Sequence, residues 1–356
     1  MEPLDVARLV AGPALLVVGA ELLVRGSARL AAAVGLSPLV IGLTVVSYGT
    51  GAPELAVSLS AAWADRGDIA LGNVIGSNIL NVLLVLGITA IVAPLVVQRR
   101  LVQSEVPFMI GASLLTLAMA ADGVLSRIDG AVLVAGVIGF TLVALRLGKR
   151  FEAPAEAHVE APVPIELTMR LIAMVVVGLA LLVLGGRWIV DGAVAIARGF
   201  GISELVIGLT IVAIGTSLPE VATSLIAAVR GQREIAVGNV IGSNIFNLLA
   251  VLGTTVVVVP DGIVVARSAL VFDLPVMVAA AAVCLPIFFT HGRIDRWEGG
   301  LLLATFAAYL AYLALRGMQH PWLPSFAWAM VTFVLPLAGV ALATSVLAYQ
   351  RAAAAR

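Results

Sequence analysis

Charge, cysteine and histidine are what this chain of 356 residues has least of. Only 12% of its residues are charged, 61% are hydrophobic, and the mean hydropathy is +1.12. A soluble domain keeps roughly a quarter of its residues charged, so the composition excludes a water-exposed globule and leaves a polytopic membrane protein. The single Cys284 excludes an internal disulfide and any multi-cysteine metal site. Three histidines, His158, His291 and His320, fall near expected loops and suggest no zinc site. Formal net charge is zero and no basic block exists, so nucleic acid is not expected as a partner. No nucleophile–base pair and no catalytic metal motif stands out, so neither an enzyme activity nor a cofactor is expected. Leu4 to Val18 is apolar but runs on without an A-x-A-type exit, so no cleavable leader is expected.

Long apolar runs fill the chain instead. A helix needs about 20 residues to cross the hydrocarbon core. Runs between charged or Pro/Gly-rich breaks predict spans near 7–33, 38–64, 70–96, 105–122 and 128–147, then 167–198, 204–229, 236–259, 269–289 and 297–315. Phe326 to Ala348 reads as an eleventh. The expected fold class is therefore an all-α polytopic membrane protein.

The organising feature is a repeat. Gly42 to Gly87 aligns with Gly208 to Gly253 without a gap at an offset of 166, with about 28 of 46 positions identical, which signals duplicated architecture. The echo extends further: Gly19 matches Gly185, Gly26 matches Gly192, and SEVPFM at Ser104 to Met109 matches FDLPVM at Phe272 to Met277 with a shift of two. The fifth and tenth helices open on matching RID triplets, Arg127 to Asp129 and Arg293 to Asp295, where an Asp can cap a helix start. The division expected is a first five-helix unit over 1–147, a cytoplasmic linker over 148–166, a second five-helix unit over 167–316, and an extra helix with a tail over 317–356. An odd number of helices per unit forces the halves into opposite orientations. With the N-terminus outside, 14 of the 21 Lys and Arg fall on cytoplasmic segments, so the positive-inside rule places the linker and, given the eleventh helix, the C-terminus in the cytoplasm. Inverted repeats interrupted at mid-membrane are typical of secondary transporters.

Polar residues inside these spans are costly and therefore mark function. In GTGAPE and GTSLPE, Pro53 and Pro219 lack an N–H and clash with the preceding turn, and Gly49 and Gly215 ease the resulting break. Carbonyls of 47 to 50 and 213 to 216 are expected to be freed, and a freed carbonyl in lipid needs a partner that a cation can supply. Thr50 and Glu54, like Thr216 and Glu220, are spaced i,i+4 and share a face. In GNVIGSNILN and GNVIGSNIFN, the pairs Gly72/Gly76 and Gly238/Gly242 let helices approach closely. Ser77 with Asn81, and Ser243 with Asn247, add neutral oxygens one turn apart, while Asn78 and Asn244 fall on another face and are expected to bond a neighbouring helix. Glu21/Arg25 and Arg187/Asp191 are i,i+4 pairs expected to neutralise each other. Oxygen ligands without nitrogen or sulfur select calcium, sodium or magnesium. Two carboxylates carry the charge that one calcium neutralises, and protons are expected to compete for them.

These paired motifs resemble the α-repeats of the sodium/calcium exchanger family within the cation/calcium antiporters, over residues 7–315. The resemblance implies two inverted five-helix repeats whose second, third, seventh and eighth helices frame the ion sites. It also implies alternating access by sliding of the first and sixth helices. Carried over by position, Glu54 and Glu220 ligate calcium with Thr50 and Thr216. Sodium sites use Ser47, Ser77, Asn81, Ala213, Ser217, Ser243 and Asn247, with both glutamates shared. Sharing couples the ions, because calcium and sodium cannot occupy the glutamates together. Expected partners are thus calcium, sodium and the bilayer of a prokaryotic plasma membrane, with oligomeric state open. Gly51 departs from the family's Ser, which repeat two keeps as Ser217, and Ser47 stands where repeat two has Ala213. A Gly51→Ser change is expected to be tolerated and to tighten sodium binding. Asn at 81 and 247, without the Asp of potassium-dependent relatives, argues against potassium dependence. The alternatives left open are proton/calcium exchange and, in a different class, a calcium channel or leak.

Overall fold

The computed structural model describes residues 3–150, 165–199, 213–289 and 292–334, with 339–340, 343–344 and 346–347. In lipid a backbone must satisfy its own hydrogen bonds, and each apolar run accordingly becomes a helix. They are α1 (Pro3–Val34), α2 in two pieces (Pro38–Thr50 and Ala52–Trp63), α3 (Gly67–Val92), α4 (Leu101–Asp122) and α5 (Arg127–Arg150). After them come α6 (Ile165–Gly199), α7 in two pieces (Ala213–Thr216 and Leu218–Val229), α8 (Arg233–Val258), α9 (Ala269–Phe289) and α10 (Arg296–Gly317). A further helix, α11 (Leu323–Ala329), runs into a π turn at Met330–Val334. Among the described residues, eight helices are long and apolar enough to cross a membrane, nine counting the bent pair in α2 as one span. The start of the expected 204–229 span, the linker residues 151–164 with His158, His291, and most of the expected eleventh span beyond 334 lie outside the described residues.

The duplication is visible to the residue. Ala52–Trp63 matches Leu218–Val229, Gly67–Leu80 matches Arg233–Phe246, and π turns at Asn81–Leu86 and Asn247–Leu252 match as well, all at the offset of 166. The turn between the broken helix and the next one needs a left-handed residue, filled by Asp65 (φ 56°) in one repeat and Gly231 (φ 77°) in the other. The repeats interlock. Strand β1 (Leu95–Val96) pairs antiparallel with β4 (Arg293–Ile294), and β2 (Val124–Leu125) with β3 (Ile263–Val264), each pair joining one repeat to the other. Glycines bring α1 and α6 together in antiparallel fashion: a Cβ on Gly19 would stand 2.8 Å from the Gly178 carbonyl oxygen, and one on Gly185 2.8 Å from that of Gly12. Gly87 and Gly299 bring α10 onto α3, and Gly130 and Gly253 bring α5 onto α8 in the same way. Burial ranks the helices: 94% of the spanning window of α8 and 78% of that of α3 is buried, against 33% in α1 and 22% in α6. Thus α3 and α8 form the centre, and the α1–α6 pair flanks it.

One sequence match is out of register. Arg293-Ile294 lies in β4 while Arg127-Ile128 opens α5, so the RID triplets are not equivalent. The equivalent caps are Ser126-x-x-Asp129 and Asp295-x-x-Glu298. In the first, the Ser126 N–H donates to Asp129 Oδ2 at 2.8 Å and the Asp129 N–H to Ser126 Oγ at 3.3 Å; in the second, the Asp295 N–H donates to Glu298 Oε2 at 2.8 Å. Both are capping boxes, so Asp295 sits at the cap itself and Asp129 three residues inside. Glu21 and Arg25 form the expected pair, and Arg230 at the end of α7 adds a second ion pair to Glu21 at 2.8 Å.

Candidate ion site between the two broken helices

Each half-site begins with a helix that stops and restarts within one residue. Ser47–Thr50 ends at Gly51 (φ −78°, ψ 0°), and Ala52–Trp63 resumes with Pro53 in its first turn, where the missing N–H costs nothing. The two pieces of α2 meet at 42°. In the second repeat Ser217 (φ −92°, ψ 6°) takes the same place before Pro219. The break frees fewer carbonyls than proline alone predicts: the Gly51 N–H donates to the Ser47 carbonyl at 2.9 Å and the Ser217 N–H to that of Ile214 at 3.2 Å. Helix α6 covers both breaks, with Leu179 against Gly49 and Val190 against Gly215.

The breaks turn the glutamates of opposite repeats toward each other. Glu54 and Glu220 are both buried at 1% exposure, and each lies within reach of the other's charge. Thr216 lies beside Glu54 and Thr50 beside Glu220, each across the repeat boundary. Ser217 Oγ donates to Glu54 Oε1 at 3.2 Å and stands 3.4 Å from Ser77 Oγ, so α7, α2 and α3 converge there. Ser47 is buried, with its proton given to the Leu43 carbonyl at 2.8 Å. Asn81 and Asn247 open the two π turns, and both are buried; extra residues of this kind inside helices recur at functional sites. Ala213 opens the short piece of α7.

Several of these groups lack a hydrogen-bond partner among the described residues: Glu54 Oε2, both Glu220 oxygens, Ser243 Oγ, and the amides of Asn81 and Asn247. Leaving one such atom buried and unpaired costs about 1–3 kcal/mol. Their carboxylate, amide and hydroxyl oxygens are hard donors of the kind that suits a small cation. Among the described residues no group of three His, Cys, Asp or Glu side chains forms a metal centre.

The sequence pattern did not single out Asn73 and Asn239, which the structure makes the frame of the site. Asn73 Nδ2 donates to the Glu54 carbonyl at 3.2 Å and to Ser58 Oγ at 3.0 Å, and Asn239 Nδ2 does the same to Glu220 (3.5 Å) and Ser224 (3.0 Å). Asn239 Oδ1 also accepts from Thr50 Oγ1 at 3.2 Å. The available signal was their identity at matched positions, each directly after a glycine. Of the other amides, Asn244 Nδ2 does reach a neighbouring helix, at Met109 Sδ (3.5 Å), whereas Asn78 Nδ2 bonds its own helix at Val74 (2.8 Å). Gly238 and Gly242 pack α8 on α2 as expected, their Cβ positions 2.9 Å from the Leu39 and 2.6 Å from the Leu43 carbonyl oxygens. Gly72 and Gly76 meet no atom within 4 Å of their Cβ positions among the described residues.

Residues 5–146 and 170–315 match the sodium/calcium exchanger protein family. The chain belongs to the sodium/calcium exchanger family. This exchanger is 43% identical over 307 residues to the putative antiporter CaxA of Alkalimonas amylolytica, covering 84% of its own length and 95% of that protein. It is 31% identical over 343 residues to the sodium/calcium exchanger MaX1 of Methanosarcina acetivorans, covering 86% and 97%. It superposes on the sodium-calcium exchanger NCX_Mj soaked with 2.5 mM Na+ and 1 mM Sr2+ with a TM-score of 0.77 and 32% identity, covering 87% of this chain and 99% of that one. Family and fold together make it an integral membrane protein and a cation/calcium antiporter.

The bridging amide gives a first test. Asn239→Leu keeps the number and branching of the side-chain heavy atoms but removes two donated bonds and the acceptor for Thr50. The half-saturation for calcium is expected to rise about fivefold, the lost bond to Thr50 beside Glu220 being worth about 1 kcal/mol. Calcium-dependent thermal stabilisation of the purified protein reads this directly; an unchanged half-saturation removes Asn239 from the frame.

Proposed function

We propose that the exchanger moves calcium against sodium by alternating access, with both ions using Glu54 and Glu220. The observation that carries this reading is the convergence of two buried carboxylates from opposite repeats, three of whose four oxygens have no partner among the described residues. Two negative charges match one calcium, and in low dielectric neither ion nor empty pair is stable with its charge uncompensated. Thr50 and Thr216 complete the calcium shell. Ser47, Ser77, Asn81, Ala213, Ser217, Ser243 and Asn247 supply the neutral oxygens that suit sodium, Ala213 through its carbonyl. Shared carboxylates make the two occupancies exclusive, which is what couples the fluxes. Helices α1 and α6, joined to each other through glycine faces, slide as one unit over α2, α3, α7 and α8. The charge bias of the loops supports an outside N-terminus and a cytoplasmic linker, in the plasma membrane of a prokaryote.

The test is calcium uptake into proteoliposomes loaded with sodium or with choline at matched pH. Uptake that needs internal sodium is expected. Uptake that ignores sodium and follows an imposed pH gradient transfers the reading to proton exchange, and uptake needing no counter-ion transfers it to a channel. Protons compete for the same carboxylates, so calcium binding is expected to weaken as the pH is lowered.

A further inference from the structure

The two half-sites differ at Gly51 and its counterpart Ser217, and an aromatic ring accounts for that difference. Gly51 and Ser217 are equivalent positions, as are Phe246 and Leu80, and Tyr48 and Ile214. A Cβ on Gly51 would stand 2.8 Å from Phe246 Cδ1 and 3.0 Å from its Cε1, so the ring of the opposite repeat occupies the space of a side chain at 51. The ring cannot easily yield. It stacks on Tyr48 with centroids 4.7 Å apart, and the Tyr48 hydroxyl is tied to Thr141 of α5 at 2.5 Å. The consequence lies one step away. In the other half, Ser217 reaches Glu54 and Ser77; the equivalent partners for a hydroxyl at 51 are Glu220 and Ser243. Those are the residues whose buried oxygens have no partner among the described residues.

We propose that Phe246 is a specificity-determining residue: by holding position 51 to glycine it withholds a hydroxyl from the Glu220–Ser243 half-site and weakens sodium binding there relative to the Ser217 half. This corrects the expectation that Gly51→Ser alone is tolerated. The inference rests on the sodium/calcium reading above. Leu80 is the equivalent residue of the repeat whose partner position holds Ser217, so Phe246→Leu copies a pairing the sequence already carries.

The experiment compares wild type, G51S, F246L, G51S/F246L and S217G. G51S is expected to lower the melting temperature, and F246L to restore it in the double variant. Relative to F246L alone, the double variant is expected to lower the sodium half-saturation of calcium exchange about threefold to tenfold, and S217G to raise it by a similar factor. The same shifts are read without transport, as stabilisation of purified protein by sodium chloride against choline chloride. Equal sodium half-saturation in F246L and G51S/F246L overturns the proposal, as does a G51S protein as stable as wild type. Failure of the parent reading looks different: wild-type uptake then ignores sodium, while the stabilisation series still reports whether the added hydroxyl binds the ion.

Discussion

Glu54→Gln and Glu220→Gln are each expected to reduce calcium uptake to the level of protein-free vesicles. Glutamine has the shape of glutamate and keeps one oxygen, so packing in a site with both residues 1% exposed is preserved. What changes is charge. With one carboxylate left, a bound calcium carries an uncompensated positive charge in a buried site, and breaking a buried charge pairing costs about 3–5 kcal/mol. That is a loss of about 100- to 5,000-fold in affinity, enough to place calcium binding out of range at ordinary concentrations. The two variants need not be equal. Glu54 already accepts one hydrogen bond from Ser217, whereas neither oxygen of Glu220 has a partner among the described residues. Glu220 therefore offers more to the ion, and its variant is expected to be the more severe by calcium-dependent thermal shift. Near-normal uptake in either variant would remove both glutamates from the site.

What was legible in the sequence is what local chemistry dictates. The spans follow from apolar length, and the one-residue breaks at Gly51 and Ser217 from Pro53 and Pro219. The facing carboxylates follow from a repeat that forces its halves into opposite orientations. The rest depends on contacts between distant segments. Gly42, which packs on Ile235, and Phe246, which fills the place of a side chain at 51, meet across about 200 residues of chain. Nothing in either local sequence names the partner. The π turns at Asn81 and Asn247 are equally silent, because a helix widened by one residue has no composition of its own. The RID triplets show the converse failure: three identical residues matched by chance, while the true equivalence between Ser126-x-x-Asp129 and Asp295-x-x-Glu298 shares no residue and only a capping geometry.

The close approach of α8 to α2 bears directly on the ion site, and Gly242→Ala tests it. A methyl at 242 would stand 2.6 Å from the Leu43 carbonyl oxygen and 2.6 Å from Ser47 Oγ. The first of these is backbone and cannot rotate aside; real contacts of this kind need several tenths of an ångström more. Helix propensity pulls the other way, alanine being favoured over glycine by about 1 kcal/mol in a helix interior. A loss therefore reports the clash alone. The displaced segment is the one that carries Ser47 and Thr50, so the damage falls on ion binding before it falls on folding. Overpacking of a tight core costs about 1–3 kcal/mol, and calcium half-saturation is expected to rise about 10- to 100-fold. Gly300, on the peripheral helix α10, has no neighbouring atom among the described residues within 4 Å of the equivalent point. Gly300→Ala is accordingly the control, expected to bind calcium as wild type does. If the two alanine variants bind calcium alike, the α2–α8 contact does not set the geometry of the site, and the position of Thr50 against Glu220 must be fixed from elsewhere.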